Sequence, residues 1–466
     1  MQIGIINGIY TDGSPDFRTS YPVNLVPVPK ATGISEGYLR PADGIVKTGD
    51  GPGSNRGGLN WNGVLYRVMG TKLVTVAQNG TVTVIGDVGS GGRVTFTYSF
   101  DYLAVTSGGR LYLYDGTTLT QVTDPDLGTA LTVVWVDGYF MTTDGKFLVI
   151  TELNNPFAVD PLKYGSSEAD PDPVKALLKL RNEIYALNRH TIEVFDNIGS
   201  AGFPFQRITG AQIQKGTLGT HTCCVFGENI AFMGSGTNEN ISIYIGANGT
   251  VQKIATREIE EILAGYTEAQ LSTSFMQERT EGGHQFLDIH LPDQTIVFDA
   301  AGSQAVEQPV WFFLRTSVVG LGQWAVSDAI WAYDRWNVGK PNDTDVGYLD
   351  KSIATHWGET IGWEFGTIIV YNESRGAIFH DMELVSLTGR VQPGADPTVW
   401  TSYSVDGLTY SVEKPARVGK LGEYNKRVVW LQQGHMRNWR LQKFRGTSEA
   451  QLAMARLEAR VEPLAF

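Results

Sequence analysis

Three groupings of residues have types and spacings suited to chemistry. In HQFLDIH, His284, Asp288 and His290 differ by even numbers and therefore share one face of a strand. Two imidazoles and a carboxylate on one face could hold a metal ion. Such a face is more often simply solvated, and no metal is assigned to it. Cys223 and Cys224 follow His221, but the chain has no second cysteine pair, so a zinc site lacks donors. Adjacent cysteines do not readily bond each other, and they read as small residues of a buried strand. The third grouping is basic and aromatic: Lys426, Arg427, Arg437, Arg440, Lys443 and Arg445 interleave with Trp430, Trp439 and Phe444. That mixture can bind nucleic acid by charge and stacking. It also suits a subunit interface, where Arg and Trp are favoured anchors.

Charge decides between these two. The net charge is −12, yet residues 417–466 hold ten Lys/Arg and four Asp/Glu. An acidic body argues against tight binding of nucleic acid, which needs clustered cations. It favours joining to a copy or to an acidic partner through complementary patches. Enzyme signatures are missing: no Gly-x-x-x-x-Gly-Lys-Ser/Thr, Gly-x-Ser-x-Gly or His-Glu-x-x-His occurs. Neither a catalytic residue nor a cofactor is assigned. The segment SVDGLTY at 404–410 resembles the Asp-box of sialidases, Ser-x-Asp-x-Gly-x-Thr-Trp. It is one residue short, ends in Tyr and occurs once, and Asp406-Gly407 explains it as a hairpin turn. A polysaccharide-active propeller glycosidase, or a carbohydrate-binding component, is the alternative reading.

The elements that must carry these residues are β-strands. Of 466 residues, 54 are Gly, 11% are aromatic and 18% are charged, a composition suited to strands joined by tight turns. From residue 62, NGVLYRVMGTKLVTVAQNGTVTVIG alternates, turns at Asn79-Gly80 and alternates again. Asn-Gly and Asp-Gly permit the positive φ of hairpin turns. Similar units start near 63, 100, 136, 181, 227, 283 and 327. A drifting period of about 40–50 residues with several strands per unit predicts propeller blades. A helical pattern at 256–275 interrupts them, with Thr267 and Gln270 spaced as a capping box for a second short turn. The proline- and acid-rich stretch 154–175 reads as an exposed loop. Beyond 353, long hairpins are expected at 362–391 and 398–418.

The expected class is all-β: a propeller with divergent blades, an additional C-terminal β domain and an extended N-terminal arm. The boundaries are 1–58 for the arm, 59–352 for the propeller and 353–466 for the C-terminal domain. No apolar run reaches the eighteen or so residues of a membrane span. MQIGIINGIY has neither a basic region nor a cleavage site, so no signal peptide is expected. Lacking a disulfide framework, the chain suits folding in a reducing cytoplasm.

The arm poses a packing problem. FRTSYPVNLVPVPK, at 17–30, holds Pro22, Pro27 and Pro29, which bar helix and central strand, yet Tyr21, Leu25 and Val26 need burial. Read in order, DFR at 16–18, YPVN at 21–24, PK at 29–30, GYLR at 37–40 and DGI at 43–45 form a series. It resembles the start of the packaged-DNA stabilisation proteins of short-tailed bacteriophages, the tail hub or nozzle. The Arg/Trp-rich end and the total length are similar too, while the middle matches only in style. The resemblance implies a propeller protein assembled as a ring of six beneath the portal and its adaptor. It also implies a tail needle plugging the far end, tailspikes nearby, and double-stranded DNA passing without specific contact. The chain would belong to the virion tail, assembled in the host cytoplasm, and would retain packaged DNA until ejection. Twelve residues are candidate interface positions: Tyr21, Pro22, Asn24, Tyr38, Leu39, Arg40, Arg427, Trp430, Arg437, Trp439, Arg440 and Arg445. The arm is expected to pack on the C-terminal domain and face the adaptor, with acidic propeller residues or those of 154–175 lining the ring lumen.

Overall fold

A computed structural model describes residues 1–5, 8–10, 18–30, 32–320, 322–373, 375–391, 393–449 and 452–464. Seven four-stranded antiparallel sheets follow one another along the chain. They begin at Asn55, Thr95, Val133, Val174, Cys223, Phe275 and Ala329, and we number them blades 1 to 7. Each first strand sits at one edge of its sheet. The first strands of blades 7, 1, 2, 3, 4, 5 and 6 touch in that order, forming the inner ring. The architecture is a seven-bladed β-propeller followed by a second β domain, and the seven alternating units of the sequence match the seven blades.

Closure of the ring comes from the N-terminal segment. Blade 7 takes three strands from Ala329–Ala332, Arg335–Gly339 and Asp345–Asp350, and its outermost strand is Gly44–Asp50. Leu349 pairs with Ile45 and Asp345 with Asp50. Splicing the two ends of the propeller into one sheet makes the ring depend on both. Arg67 of blade 1 reinforces the joint, donating to Asp328 Oδ1 at 2.7 Å and to the carbonyl of Asn337 at 3.0 Å. The range 1–58 assigned to the arm therefore contains the propeller strand Gly44–Asp50 and the first part of another, Asn55–Trp61. Local pattern cannot reveal this, because the partner of the closing strand lies some 300 residues away.

The C-terminal domain is a two-sheet sandwich. One sheet has the order Val428–Met436, Ala377–Ser386, Met454–Pro463, Tyr38–Pro41, Leu25–Val28, with Gln2–Ile3 also paired to Met454–Pro463. The other has the order Gly362–Gly366, Trp439–Thr447, Thr398–Ser404, Lys414–Arg417, with Val370–Tyr371 on Trp439–Thr447. Phe365, Phe379, Trp363, Trp430, Phe444, Leu25 and Leu39 meet between them. Rings of Phe365 and Phe444 stack at 5.1 Å, and Trp430 meets Phe444 at 5.3 Å. Leu25–Val28 is an edge strand, which explains how Pro27 is accommodated without a ladder donor.

Three sequence expectations change. The 154–175 loop is largely the strand Asn155–Ser166, the outer strand of blade 3. Its prolines are tolerated at an edge, and bulges near Val149 and Thr151 absorb the irregular register. The expected hairpin over 362–391 does not form, because Gly362–Gly366 and Ala377–Ser386 join different sheets. An unforeseen helix, Ala300–Val306, sits between the last two strands of blade 6. In contrast, 256–275 holds helices Arg257–Ala264 and Glu268–Leu271, the latter opened by the Thr267–Gln270 capping box.

Candidate assembly and interdomain interface

Tyr21 to Asn24 form the joint between the two domains. Val23 bridges in parallel to Phe313, on the outer strand of blade 6, and antiparallel to Glu364, in the first strand of the five-stranded sandwich sheet. Its amide donates to Glu364 O at 2.8 Å, and Glu364 N returns a bond at 3.1 Å. Phe313 N donates to Pro22 O, and Asn24 N donates to Phe313 O, both at 2.8 Å. Proline at 22 loses nothing here, since only its carbonyl is used.

Asn24 adopts φ 54°, the left-handed region that Asn tolerates better than most residues. That turn aims its amide into the joint. Nδ2 donates to the carbonyls of Arg315 (3.0 Å) and Gly362 (2.7 Å), and Oδ1 accepts from Arg315 N at 2.9 Å. One buried side chain thus satisfies three backbone groups from two domains, groups that would be costly to bury unpaired. Tyr21 packs against Phe313 and brings its hydroxyl 2.6 Å from Thr256 Oγ1, at the start of the first helix. Burial pushes the Tyr21 phenol up, so it stays neutral.

An ionic cluster lies where the chain crosses from sandwich to propeller. Arg40 donates to Asp43 Oδ1 at 3.0 Å and to Glu281 Oε1 at 2.8 Å. Arg279 bonds Glu281 at 2.9 Å and Asp288 at 3.0 Å, and Lys351 reaches Glu281 at 3.2 Å. Burial, then repulsion from Glu281, pushes the Asp43 carboxyl up. Burial acts against Glu281 in the same sense, but Arg279 and Arg40 outweigh it and hold Glu281 low. The cluster ties the arm to blades 6 and 7 together.

The basic, aromatic C-terminal grouping is distributed differently, over two strands, Val428–Met436 and Trp439–Thr447, that join different sheets of the sandwich and do not pair as a hairpin. Trp430 is in the sandwich core and donates Nε1–H to Lys414 O at 2.9 Å. Arg440 is fully buried, with its guanidinium over Phe379 at 4.5 Å and Tyr403 at 3.9 Å. It donates to the carbonyl of Gln433 and to Gln442 Oε1. With these neutral partners, burial lowers its pKa to about 10. Arg427 pairs with Glu383, Arg445 with Glu413 at 2.5 Å, and Lys443 with Glu364 at 2.7 Å. Residues 353–466 hold thirteen Lys/Arg and twelve Asp/Glu, so the acids of 359–413 largely neutralise the basic end.

Of the twelve candidate positions, Tyr21, Pro22, Asn24, Leu39, Trp430 and Arg440 are buried within this one chain. Tyr38, Arg40, Trp439 and Arg445 are half-buried, and Arg427 and Arg437 are exposed. The buried ones serve the chain's own joint and core, not a surface for another molecule. Asp16 and Phe17 of the DFR element lie outside the described residues. Sequence reasoning missed Asp288, Glu281, Arg279 and Arg315 as members of the joint. Arg279, Glu281 and Asp288 are strand residues and Arg315 lies just past Val310–Leu314, so none of them signals the joint locally, and Asp288 stood out only as a member of the metal-face grouping.

The other chemical candidates disperse. His284 Nδ1 lies 2.6 Å from Asp299, Asp288 pairs with Arg279, and His290 stacks between Phe275 and Trp324. Cys223 is buried and Cys224 half-buried, and burial raises both thiols. Asp406 accepts from the amides of Leu408 and Thr409, so SVDGLTY is a capped turn.

Family models divide the chain at this joint. The model for the bacteriophage P22 Gp10 β-propeller matches residues 1–354, and that for the P22 Gp10 β-sandwich matches residues 362–462. The chain belongs to the phage P22 Gp10 family. Tail hub protein gp10 of Salmonella phage P22 is 29% identical over 483 residues, spanning 99% of this chain and 99% of that protein. Solved structures at a TM-score of 0.40 include the designed Ika8 protein, 12% identical over 75% of this chain and all of that one. The Pan2 WD40 domain of Neurospora crassa also matches at 0.40, with 10% identity over 66% of this chain and 95% of that one. The sandwich match begins at Gly362, whose carbonyl receives the Asn24 amide.

Proposed function

We propose that this chain is a structural tail hub protein of a short-tailed phage virion. The observation that carries this is end-to-end relatedness to tail hub protein gp10 of Salmonella phage P22, with both family domains in order. In this reading, copies form a ring, of six in the finer form of the proposal. The ring continues the portal channel, retains packaged DNA and conducts it at ejection. Its partners are the tail adaptor and portal, a needle or plug, and tailspikes. The role is mechanical, without catalysis or a cofactor. The protein acts in the virion tail and is assembled in the host cytoplasm.

The acidity of residues 1–352, which carry thirteen more carboxylates than cations, supports a lumen along which DNA slides without adhering. The exposed or half-buried candidates Tyr38, Arg427, Arg437, Trp439 and Arg445 are proposed as contacts to the adaptor or to neighbouring copies. Deleting residues 1–45 is a poor test of this, because it removes three strands of one sandwich sheet and the first two residues of the closing strand of blade 7. Electron microscopy of the full chain, alone and with adaptor, is the direct test. A ring with a central channel is expected. Monomers that ignore the adaptor would overturn the hub reading.

A further inference from the structure

A cleft of about 600 Å³ opens between blades 1 and 2. Three turns frame it: one joins Trp61 to Val64 in blade 1, and two in blade 2 join Tyr98 to Leu103 and Tyr114 to Leu119. In an antiparallel blade the first-to-second and third-to-fourth turns lie at the same end, so all three open on one face of the propeller.

The walls are aromatic. The rings of Trp61 and Tyr66 are 5.8 Å apart, and Tyr114 stands 5.9 Å from Tyr66 and 6.3 Å from Trp61. Trp61 and Tyr66 line the cleft with the half-buried Tyr102 and with Phe100, which is 89% exposed. Ser99 Oγ braces that turn by accepting from the amides of Asp101 and Tyr102. Tyr66 is only 7% exposed, yet its hydroxyl has no hydrogen-bond partner among the described residues. Burial pushes its phenol up, so the hydroxyl is neutral. Leaving such a group unpaired is costly, and the cleft is where a partner can reach it.

Two carboxylates stand at the mouth, Asp101 and Asp115, both exposed. Asp115 Oδ1 accepts from the amides of Thr117 (2.8 Å) and Thr118 (2.6 Å), and these bonds hold its carboxyl below the usual carboxylate range. No Lys or Arg lines the cleft, and none pairs with either carboxylate among the described residues. The neighbouring joint is built differently. Trp135, which Phe100 meets edge-on at 6.3 Å, has the Lys179 ammonium over its ring at 4.9 Å. There the chain supplies both ring and cation. Between blades 1 and 2 it supplies rings and two negative charges, and no cation.

A calcium or magnesium ion does not fit this lining, because such ions take six or more oxygen ligands. A neutral sugar would use the rings and leave both charges unmatched. An organic cation uses both, through its charge and through the ring faces. Two carboxylates beside a space of this size suit ammonium groups joined by methylenes.

We infer that this cleft binds an aliphatic amine with two or more ammonium groups. The methylenes would lie against Trp61 and Phe100, and the ammonium groups would meet Asp101, Asp115 and the Tyr66 hydroxyl. The site goes beyond the hub reading and does not depend on it. A free polyamine and the lysines of a peptide offer the same chemistry, so calorimetric titration of the full chain uses both spermidine and a dilysine peptide. At least one should bind, and more weakly at about 0.15 M salt than at low salt. Binding of spermidine alone identifies a free amine, and binding of the peptide alone identifies a protein's lysines; both support the site. The double variant Asp101→Asn, Asp115→Asn should weaken binding about tenfold or more. Asparagine at 115 keeps the oxygen that the Thr117 and Thr118 amides use, so thermal unfolding should match the parent. Tyr66→Phe, which removes only the hydroxyl, should cost about threefold. If neither amine binds, or if both variants bind as the parent does, the site is wrong. Maltose binding as tightly as either amine, and unmoved by salt, would overturn it in favour of a saccharide.

Discussion

Residues 21–43 and residues 427–445 bear similar lists of aromatic and cationic side chains, and the folded chain uses them in opposite ways. In the first segment, polar groups turn inward and are matched one by one: Asn24 serves Arg315 and Gly362, and Arg40 serves Asp43 and Glu281. In the second, strand alternation splits the charges. Arg440 goes inside, while Arg427 and Arg445 stay on the surface beside carboxylates. Composition alone made both look like interfaces for another molecule. The difference is that the first segment joins two domains, while the two strands of the second complete the two sheets of a single domain. A buried polar group is informative when its partners come from separate bodies, because those bodies cannot part without orphaning it.

The comparison can be broken most severely at Asn24. Asn24→Ala removes three buried hydrogen bonds and places Ala at φ 54°, so a loss of about 4 kcal/mol is expected. Differential scanning calorimetry should then resolve separate propeller and sandwich transitions where the parent shows one. If N24A leaves a single transition of unchanged midpoint, the joint is not what couples the domains.

Arg440→Ala comes next, at about 3 kcal/mol by urea unfolding, because it strips the sandwich core of a cation stacked on two rings and leaves the Gln433 carbonyl unpaired. Its effect should fall on the sandwich transition only, which sharpens the contrast with Asn24.

Asp43 supplies a pH signature of smaller size. Its carboxyl moves from 3.8 to about 6 on folding, mainly through burial. A raised carboxyl pKa means the folded state holds the proton more tightly. The resulting stability is present below 3.8 and is lost as pH rises through about 6. Asp43→Asn should therefore flatten the fall between pH 4 and 6.5, by roughly 1–2 kcal/mol given that Arg40 partly compensates. Parallel pH profiles for the parent and D43N would place the titration elsewhere.

The smallest effect is expected at Arg445→Ala, under about 1 kcal/mol, since its pair with Glu413 is partly solvated. A larger loss would move Arg445 from the surface class into the first.

Much of the fold was legible because its signals are local. Gly80, which follows Asn79, and both residues of Gly108-Gly109 take positive φ in the structure, at turns that the sequence marks directly. Thr267 and Gln270 are three residues apart and cap one another without outside help. The helix Ala300–Val306 was not legible, because AAGSQAV contains Gly and Ser and its first residue lacks a side-chain cap. Asn155–Ser166 was hidden by its prolines, which only an edge position excuses.

What the sequence by itself determined, then, is the run of seven hairpin units, the second β domain and the need of the apolar, proline-rich arm for a place to pack. Alternation and turn chemistry act over a few residues and are readable wherever they occur. The tertiary structure alone decided where the arm goes. Asn24 finds Arg315 and Gly362 at separations of 291 and 338 residues, and Gly44–Asp50 finds Asp345–Asp350 to close the ring. Those pairings follow from which edges and backbone groups remain unsatisfied once the blades and the sandwich have formed, and that remainder is a property of the assembled whole.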